Sequence, residues 1–132
     1  MTRQDLENAR KIYYQLKIMR ERVERIESVV HGGAIQYDKE KVQTSVKNQH
    51  ETLLVILADL TNEMEAKEAE LLKLKDEARE WAGTLPKFEK AIIILRYCHF
   101  LSWDEISEQL GYSSRQLRRI HGEILWQIER IV

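Results

Sequence analysis

A long apolar seam in the middle of the chain is the feature that most constrains its fold. The seam residues are spaced alternately four and three apart, and they are Val46, His50, Leu53, Leu57, Leu60, Met64, Lys67, Leu71, Leu74, Ala78 and Trp81. This spacing places all of them on one face of an α-helix and is typical of a coiled coil. The sequence therefore predicts one long helix from about residue 38 to residue 81.

A shorter seam of the same kind precedes the long one. Its members are Ile12, Leu16, Met19, Val23, Ile26 and Val30, which predict a helix from about residue 3 to residue 30. Gly32 and Gly33 break this helix, so residues 31–38 should form a loop. Two helices joined by a short loop should pack as an antiparallel hairpin. Because about 30 residues at about 1.5 Å each cannot cover about 45, the longer helix needs a further partner, either the C-terminal domain folded back or the same stretch of a second chain.

Two polar residues, His50 and Lys67, interrupt the long seam. A polar seam residue commonly fixes register or oligomeric state, so we favour a candidate interface role for both over a metal or catalytic role. The long helix should end at the segment 83–86, which contains the single proline of the chain. This segment separates an arm, residues 1–82, from a C-terminal domain, residues 83–132. One proline in 132 residues and a charged fraction of 33% favour helices over sheets. We therefore predict an all-α chain with a long N-terminal antiparallel coiled-coil hairpin.

The C-terminal domain contains two short helical patterns that meet at one glycine. Ser102 and Glu105 form a capping box at the start of the first pattern, and Gly111 should end it in the left-handed conformation. Ser113 and Gln116 begin the second pattern in the same way. The apolar residues Ile106, Leu110, Leu117, Ile120, Ile124 and Ile128 supply its core, and Phe88, Ala91, Ile92, Leu95 and Cys98 of a preceding helix over residues 87–98 should support it. The pattern predicts a helix-turn-helix.

Three arginines lie on the first turns of the second helix. With Leu117 on the core face, Arg115 and Arg119 point outward, and Arg118 and Ser114 lie on the flanks. A guanidinium fork bonds guanine edges or phosphates, so this helix has the chemistry that reading the major groove requires.

The region from Leu85 to Ile128 resembles the region-4 type helix-turn-helix of sigma factors. More narrowly, it is similar to the small RinA/ArpU-like transcription regulators of bacteriophages and prophages in Gram-positive bacteria. The motifs that carry the resemblance are Leu95-Arg96-Tyr97, Leu101-Ser102-Trp103-Asp104-Glu105-Ile106, Leu110-Gly111 and Arg115-Gln116-Leu117-Arg118-Arg119-Ile120-His121. Over residues 1–84 only the layout of charged helices is similar. The resemblance implies that Ser114, Arg115, Gln116, Arg118 and Arg119 read DNA.

Two residues near the end of the last helix remain open to interpretation. Trp126 falls opposite the core face and is a candidate anchor in a dimer or against the coiled-coil arm. Gly122 lies in mid-helix, where glycine costs about 1 kcal/mol relative to alanine. It either marks a close approach to a DNA backbone or has no functional meaning.

Other kinds of chemistry find little support in the sequence. No catalytic triad, phosphate-binding loop, dinucleotide fingerprint or zinc spacing is present, so we expect neither an enzyme nor a bound metal or cofactor. We interpret Cys98 as a core residue. No apolar stretch approaches the length of about 18 residues that a membrane span needs, and one cysteine cannot form an internal disulfide. We expect the protein to be located in the cytoplasm of a bacterial host cell.

Two functional hypotheses remain. The first is a sequence-specific transcriptional regulator of the phage late-gene activator type, which binds double-stranded DNA as a homodimer, with the Ser113 and Ser114 amides near a phosphate. The formal net charge of −1 means that the position of the arginines, not the overall charge, carries this hypothesis. The second is a protein-interaction module that binds host RNA polymerase or another protein through the coiled coil and the helical domain.

Overall fold

A computed structural model describes the backbone of residues 1–32 and 40–130 and the side chains of residues 1–31 and 47–129. Over these residues the secondary structure consists of α1 (Arg3–Gly32), α2 (Glu40–Ala82), α3 (Lys87–Tyr97), α4 (Trp103–Leu110) and α5 (Ser114–Arg130). This part of the chain contains no strand, so the prediction of an all-α protein is confirmed. The first helix continues to Gly32, slightly beyond its predicted end. Most of the predicted loop lies outside the described residues.

The chain forms two compact units that do not follow a simple division along the sequence. One unit comprises residues 1–13 together with residues 69–132, and the other comprises residues 14–68. The first unit therefore contains the start of α1 and the end of α2 as well as α3, α4 and α5. Gly83, where the sequence predicts a domain boundary, lies inside this unit, and that boundary stays a prediction.

The larger core of the first unit joins the start of α1 and the end of α2 to α3 and α5. Its buried members are Leu6, Ala78, Ala82, Ile93, Tyr97, Cys98, Ile124, Leu125 and Ile128. The helical spacing of α5 predicted Ile124 and Ile128, but no pattern indicated Leu6, which has no exposed surface. Each large side chain buried here contributes about 1.5–3 kcal/mol, so the first turns of α1 stabilise the C-terminal helices directly.

A second cluster in the same unit holds the three C-terminal helices together. Ile92 of α3, Ile106 of α4 and Leu117 of α5 pack against one another with no exposed surface. Phe88, Leu95, Leu101, Trp103, Leu110 and Ile120 surround them. Of the residues predicted to support α4 and α5, Phe88, Ile92 and Leu95 belong to this cluster, whereas Cys98 lies in the larger core.

In the second unit, polar and apolar contacts join α1 to α2. Leu16 and Met19 of α1 and Leu60 of α2 are buried. The Lys67 ammonium donates a hydrogen bond to Gln15 Oε1 at 3.1 Å. The other predicted seam residues of this unit with described side chains are half-buried, namely Val23, Ile26, Val30, His50, Leu53, Leu57 and Met64. The side chain of Val46 lies outside the described residues. The described seam residues of this unit are thus only partly covered, and the coiled-coil hairpin stays a prediction.

Candidate nucleic-acid interface

Short-range hydrogen bonds set both ends of α4. Ser102 has extended backbone angles, and its Oγ accepts a hydrogen bond from the Glu105 amide at 3.2 Å while donating one to Glu105 Oε1 at 3.1 Å. At the other end Gly111 has a φ of 76°, and its amide donates to the Ser107 carbonyl at 2.9 Å. A left-handed residue at this position stops a helix without the steric cost of a Cβ. The predicted bounds of α4 are confirmed.

A reciprocal capping box begins α5. Ser113 Oγ accepts from the Gln116 amide at 3.2 Å, and Gln116 Oε1 accepts from the Ser113 amide and from its hydroxyl, both at 3.1 Å. The Ser107 hydroxyl donates to the Tyr112 carbonyl and so ties the turn to α4. Because its side-chain oxygen caps the helix, Gln116 presents only its NH₂ group to an external ligand.

An acidic residue of α4 lies beside the first residue of α5. The Ser114 hydroxyl donates to Asp104 Oδ1 at 2.7 Å. No sequence pattern indicates this contact across the turn. A phosphate bound at the start of α5 would be close to this carboxylate, whose negative charge opposes phosphate binding there.

The three arginines on the first turns of α5, Arg115, Arg118 and Arg119, are all exposed, but their environments differ. Arg119 Nη1 lies 3.5 Å from Glu123 Oε1, and both side chains are more than half exposed, so the pair contributes little to stability. Arg115 and Arg118 form no ion pair and no side-chain hydrogen bond within the part of the chain whose side chains are described. Two guanidinium groups on the first turns of α5 are therefore ready to bind a ligand.

The half-buried His121 of α5 packs against two aromatic side chains, Tyr97 and Trp103. His121 Nε2 lies within hydrogen-bonding distance of the Tyr97 hydroxyl, and the Trp103 ring meets the imidazole edge-on at a centroid distance of 4.8 Å. The Arg96 guanidinium lies 4.4 Å from the centre of the Trp103 ring and donates to the Leu101 carbonyl. Burial, followed by the positive charge of Arg96, lowers the pKa of His121 to about 4. His121 therefore adds no positive charge to this surface at neutral pH.

The candidate interface residues belong to both units. Trp126, in the first unit, is 56% exposed on α5. In the second unit His50 is half-buried, and the half-buried Lys67 is held by Gln15. Their predicted roles in an interface stay predictions.

The structure offers little support for other kinds of site among the described residues. No three His, Cys, Asp or Glu side chains there are placed to share a metal ion. Cys98 is buried in the larger core, and burial raises the pKa of its thiol. None of the helical stretches that can be described combines the length and apolar character that membrane crossing demands.

Comparison with known proteins finds no matching family model, no matching curated protein and no matching solved structure. The functional assignment therefore rests on the geometry and chemistry of α4 and α5.

Proposed function

We propose that this protein is a sequence-specific, DNA-binding transcriptional regulator. In this proposal α4, the turn at Gly111 and α5 form a helix-turn-helix, and α5 enters the major groove. The observation that carries the proposal is the presence of two exposed arginines, Arg115 and Arg118, without partners in the described chain, on the first turns of a helix packed at Leu117. The resemblance to small phage and prophage regulators supports the same function.

The exposed side chains divide into base-reading and backbone-binding roles. Arg115 points away from the packed face of α5 and reads a base edge, preferably guanine, through a bidentate contact. Arg118, on the flank, binds a phosphate. Arg119 joins either role at small cost, since an exposed pair such as the one with Glu123 contributes at most about 1 kcal/mol. Gln116 donates through its NH₂ group.

Two copies should act together on DNA. A single small helix-turn-helix in a chain with a net charge of −1 makes few phosphate contacts, whereas a dimer reaches two half-sites about one helical turn apart. In this arrangement α1 and α2 form the antiparallel coiled-coil arm, residues 1–82, and residues 83–132 form the DNA-binding domain. Such a regulator acts in the cytoplasm of a bacterial host, and the proposal requires no contact with host RNA polymerase.

The test begins with selection of bound sequences from a random duplex pool by the full chain. The enriched site and a scrambled duplex are then titrated with the wild type and with Arg115→Ala. We expect the variant to lose about tenfold or more of its preference for the enriched site, because a bidentate base contact is worth about 1–3 kcal/mol of discrimination.

Arg79→Ala provides the matched control, because Arg79 is an exposed arginine of the same unit on α2. This variant should keep the preference of the wild type. If Arg115→Ala also keeps the wild-type preference, the assignment of Arg115 is refuted. If the selection enriches no site, the proposed function is refuted.

A second candidate function is a protein-interaction module that binds RNA polymerase or another protein. It is favoured by the carboxylate of Asp104 next to Ser114, which opposes a phosphate at the start of α5, and by the exposed Trp126 ring. Ionic strength separates the two candidates. DNA binding through several phosphates weakens steeply between about 50 and 200 mM salt, whereas an apolar protein interface does not.

A further inference from the structure

The second compact unit has one flank with an ion pair and one flank without. Arg20 Nη2 of α1 and Glu68 Oε1 of α2 lie 3.4 Å apart, and each residue directly follows a seam residue, Met19 or Lys67. In an antiparallel pair of helices, residues at this seam-following position share one flank. On both helices, the residues that directly precede a seam residue therefore lie on the opposite flank.

We name this opposite side the open flank. It consists of Ile18, Arg22, Arg25 and Val29 on α1 and Thr52, Ile56, Asp59 and Glu63 on α2, and on each helix these residues repeat with the spacing of a second seam. A surface groove supports this placement, because Arg22, Arg25 and Val29 line it together with Leu53 of α2.

The charges on the open flank are sorted by helix. Arg22 and Arg25 make α1 basic, and Asp59 and Glu63 make α2 acidic. None of these four side chains forms an ion pair with any residue whose side chain is described. The open flank thus holds two stripes of opposite charge, and neither stripe is held in an ion pair by a described side chain.

Apolar side chains lie between these charges. Ile18 is 58% exposed, Val29 is 49% exposed and Ile56 is 38% exposed. Ile56 also belongs to a run of five apolar residues, Leu53–Leu57, which is too long to leave α2 a fully polar outer face. Exposed apolar side chains that lie together within a charged rim are typical of a protein interface.

We propose that a second copy of this chain docks on the open flank, with a two-fold axis parallel to the helices. Rotation about such an axis lays α1 of one copy on α2 of the other. Arg22 and Arg25 of each copy then face Asp59 and Glu63 of its partner, and symmetry repeats the contact. A two-fold axis across the helices would instead place arginine on arginine and carboxylate on carboxylate.

The levels of the residues along the helices agree with this pairing. The helices run antiparallel from the contact between Gln15 and Lys67 to the groove where Val29 lies near Leu53. Arg22 lies about midway along this path on α1, and the corresponding part of α2 lies midway between residues 53 and 67, where Asp59 and Glu63 are found. Val29 of one copy is then level with the apolar run of the other.

The inference rests on the proposed function only for the use of the dimer, which is to present two α5 helices to two half-sites. The contact itself does not require DNA. A chain that dimerises but selects no DNA site would refute the proposed function alone, and a chain that selects a site as a monomer would refute the dimer alone.

Charge reversal on each stripe tests the contact with the full chain. One variant carries Arg22→Glu with Arg25→Glu, and the other carries Asp59→Lys with Glu63→Lys. Either variant alone places like charges opposite each other at both symmetric contacts, so its dimer dissociation constant should rise about tenfold or more. Mass is measured by light scattering or sedimentation equilibrium over a range of concentrations.

Mixing the two variants supplies the decisive measurement. In the mixed dimer each reversed stripe meets a stripe of opposite charge, so dimers should form again in a mixture of two chains that are monomeric apart. Recovery on mixing also shows that neither variant had merely unfolded. Glu24→Arg with Glu27→Arg reverses two exposed charges outside the open flank on α1 and should leave the dimer intact.

Three results would overturn the proposal. The first is a wild type that stays monomeric at every concentration, which would leave the open flank to a different protein. The second is a dimer that survives either charge reversal, and the third is a mixture that does not associate.

Discussion

Gly122 lies in the middle of α5, and its replacement by alanine should stabilise the folded chain by about 1 kcal/mol. The residue is exposed, and a Cβ added to it would meet no heavy atom within 4 Å. No packing cost therefore opposes the gain in helix propensity, which is about 0.8–1.0 kcal/mol for alanine over glycine in a helix interior. Chemical denaturation followed by circular dichroism measures the change in the free energy of unfolding.

Gly111→Ala is the matched control for this experiment. The added Cβ again meets no heavy atom within 4 Å, but Gly111 has a φ of +76°. A left-handed backbone costs a residue with a Cβ about 1–2 kcal/mol, and the lower entropy of the unfolded chain offsets part of that cost. The added methyl group should therefore destabilise the fold by about 1 kcal/mol at position 111 and stabilise it by a similar amount at position 122. Equal effects of the two substitutions, in either direction, would refute this reasoning.

Gly122→Ala also tests whether Gly122 contributes to DNA binding. If a DNA backbone approaches α5 closely at this point, Gly122→Ala should weaken binding to the selected site although it stabilises the fold. Opposite signs for stability and affinity would identify Gly122 as part of the interface. Unchanged affinity would show that the glycine has no such role.

Two further perturbations test the pKa of His121 and the cap at Ser102. Burial lowers the pKa of His121 from 6.5 to about 4, so its neutral ring contributes stability that is complete above the unfolded-state pKa and is lost as the pH falls from about 6.5 to about 4. The contribution is about 2–3 kcal/mol after allowance for the partly exposed ring, so His121→Gln should flatten the fall in unfolding free energy over that range. Parallel curves for the variant and the wild type would contradict the role of His121. Ser102→Ala should cost about 1 kcal/mol and speed hydrogen exchange at the Glu105 amide, and an unchanged exchange rate at that amide would argue against the cap.

The bounds of α4 and the start of α5 could be predicted from the sequence because their causes are local. The bonds of Ser102 with Glu105 and of Ser113 with Gln116 join residues three apart, and the stop at Gly111 depends on one backbone conformation. Helical periodicity likewise identified the buried face of α5 at Leu117. Features of this kind do not depend on how the helices cross.

The contact between Asp104 and Ser114 belongs to a different class. It joins side chains ten residues apart on two helices, so its existence depends on the angle at which α4 and α5 meet. The short approach of Tyr97 to His121 depends on the packing of α3 against α5 in the same way. Together they changed the candidate site, because one adds a carboxylate at the start of α5 and the other holds the half-buried His121 ring against Tyr97.

The sequence by itself determined the helical class, the caps and the residues that face outward on α5. Only the tertiary structure decided that Leu6, at the start of the chain, packs with Ile93 and Ile124 in one core, and that Arg20 of α1 pairs with Glu68 of α2. Local patterns record interactions within about one or two helical turns, where the chain itself sets the distance between side chains. Contacts between distant segments depend on how whole faces fit together, and no single stretch of sequence contains that information.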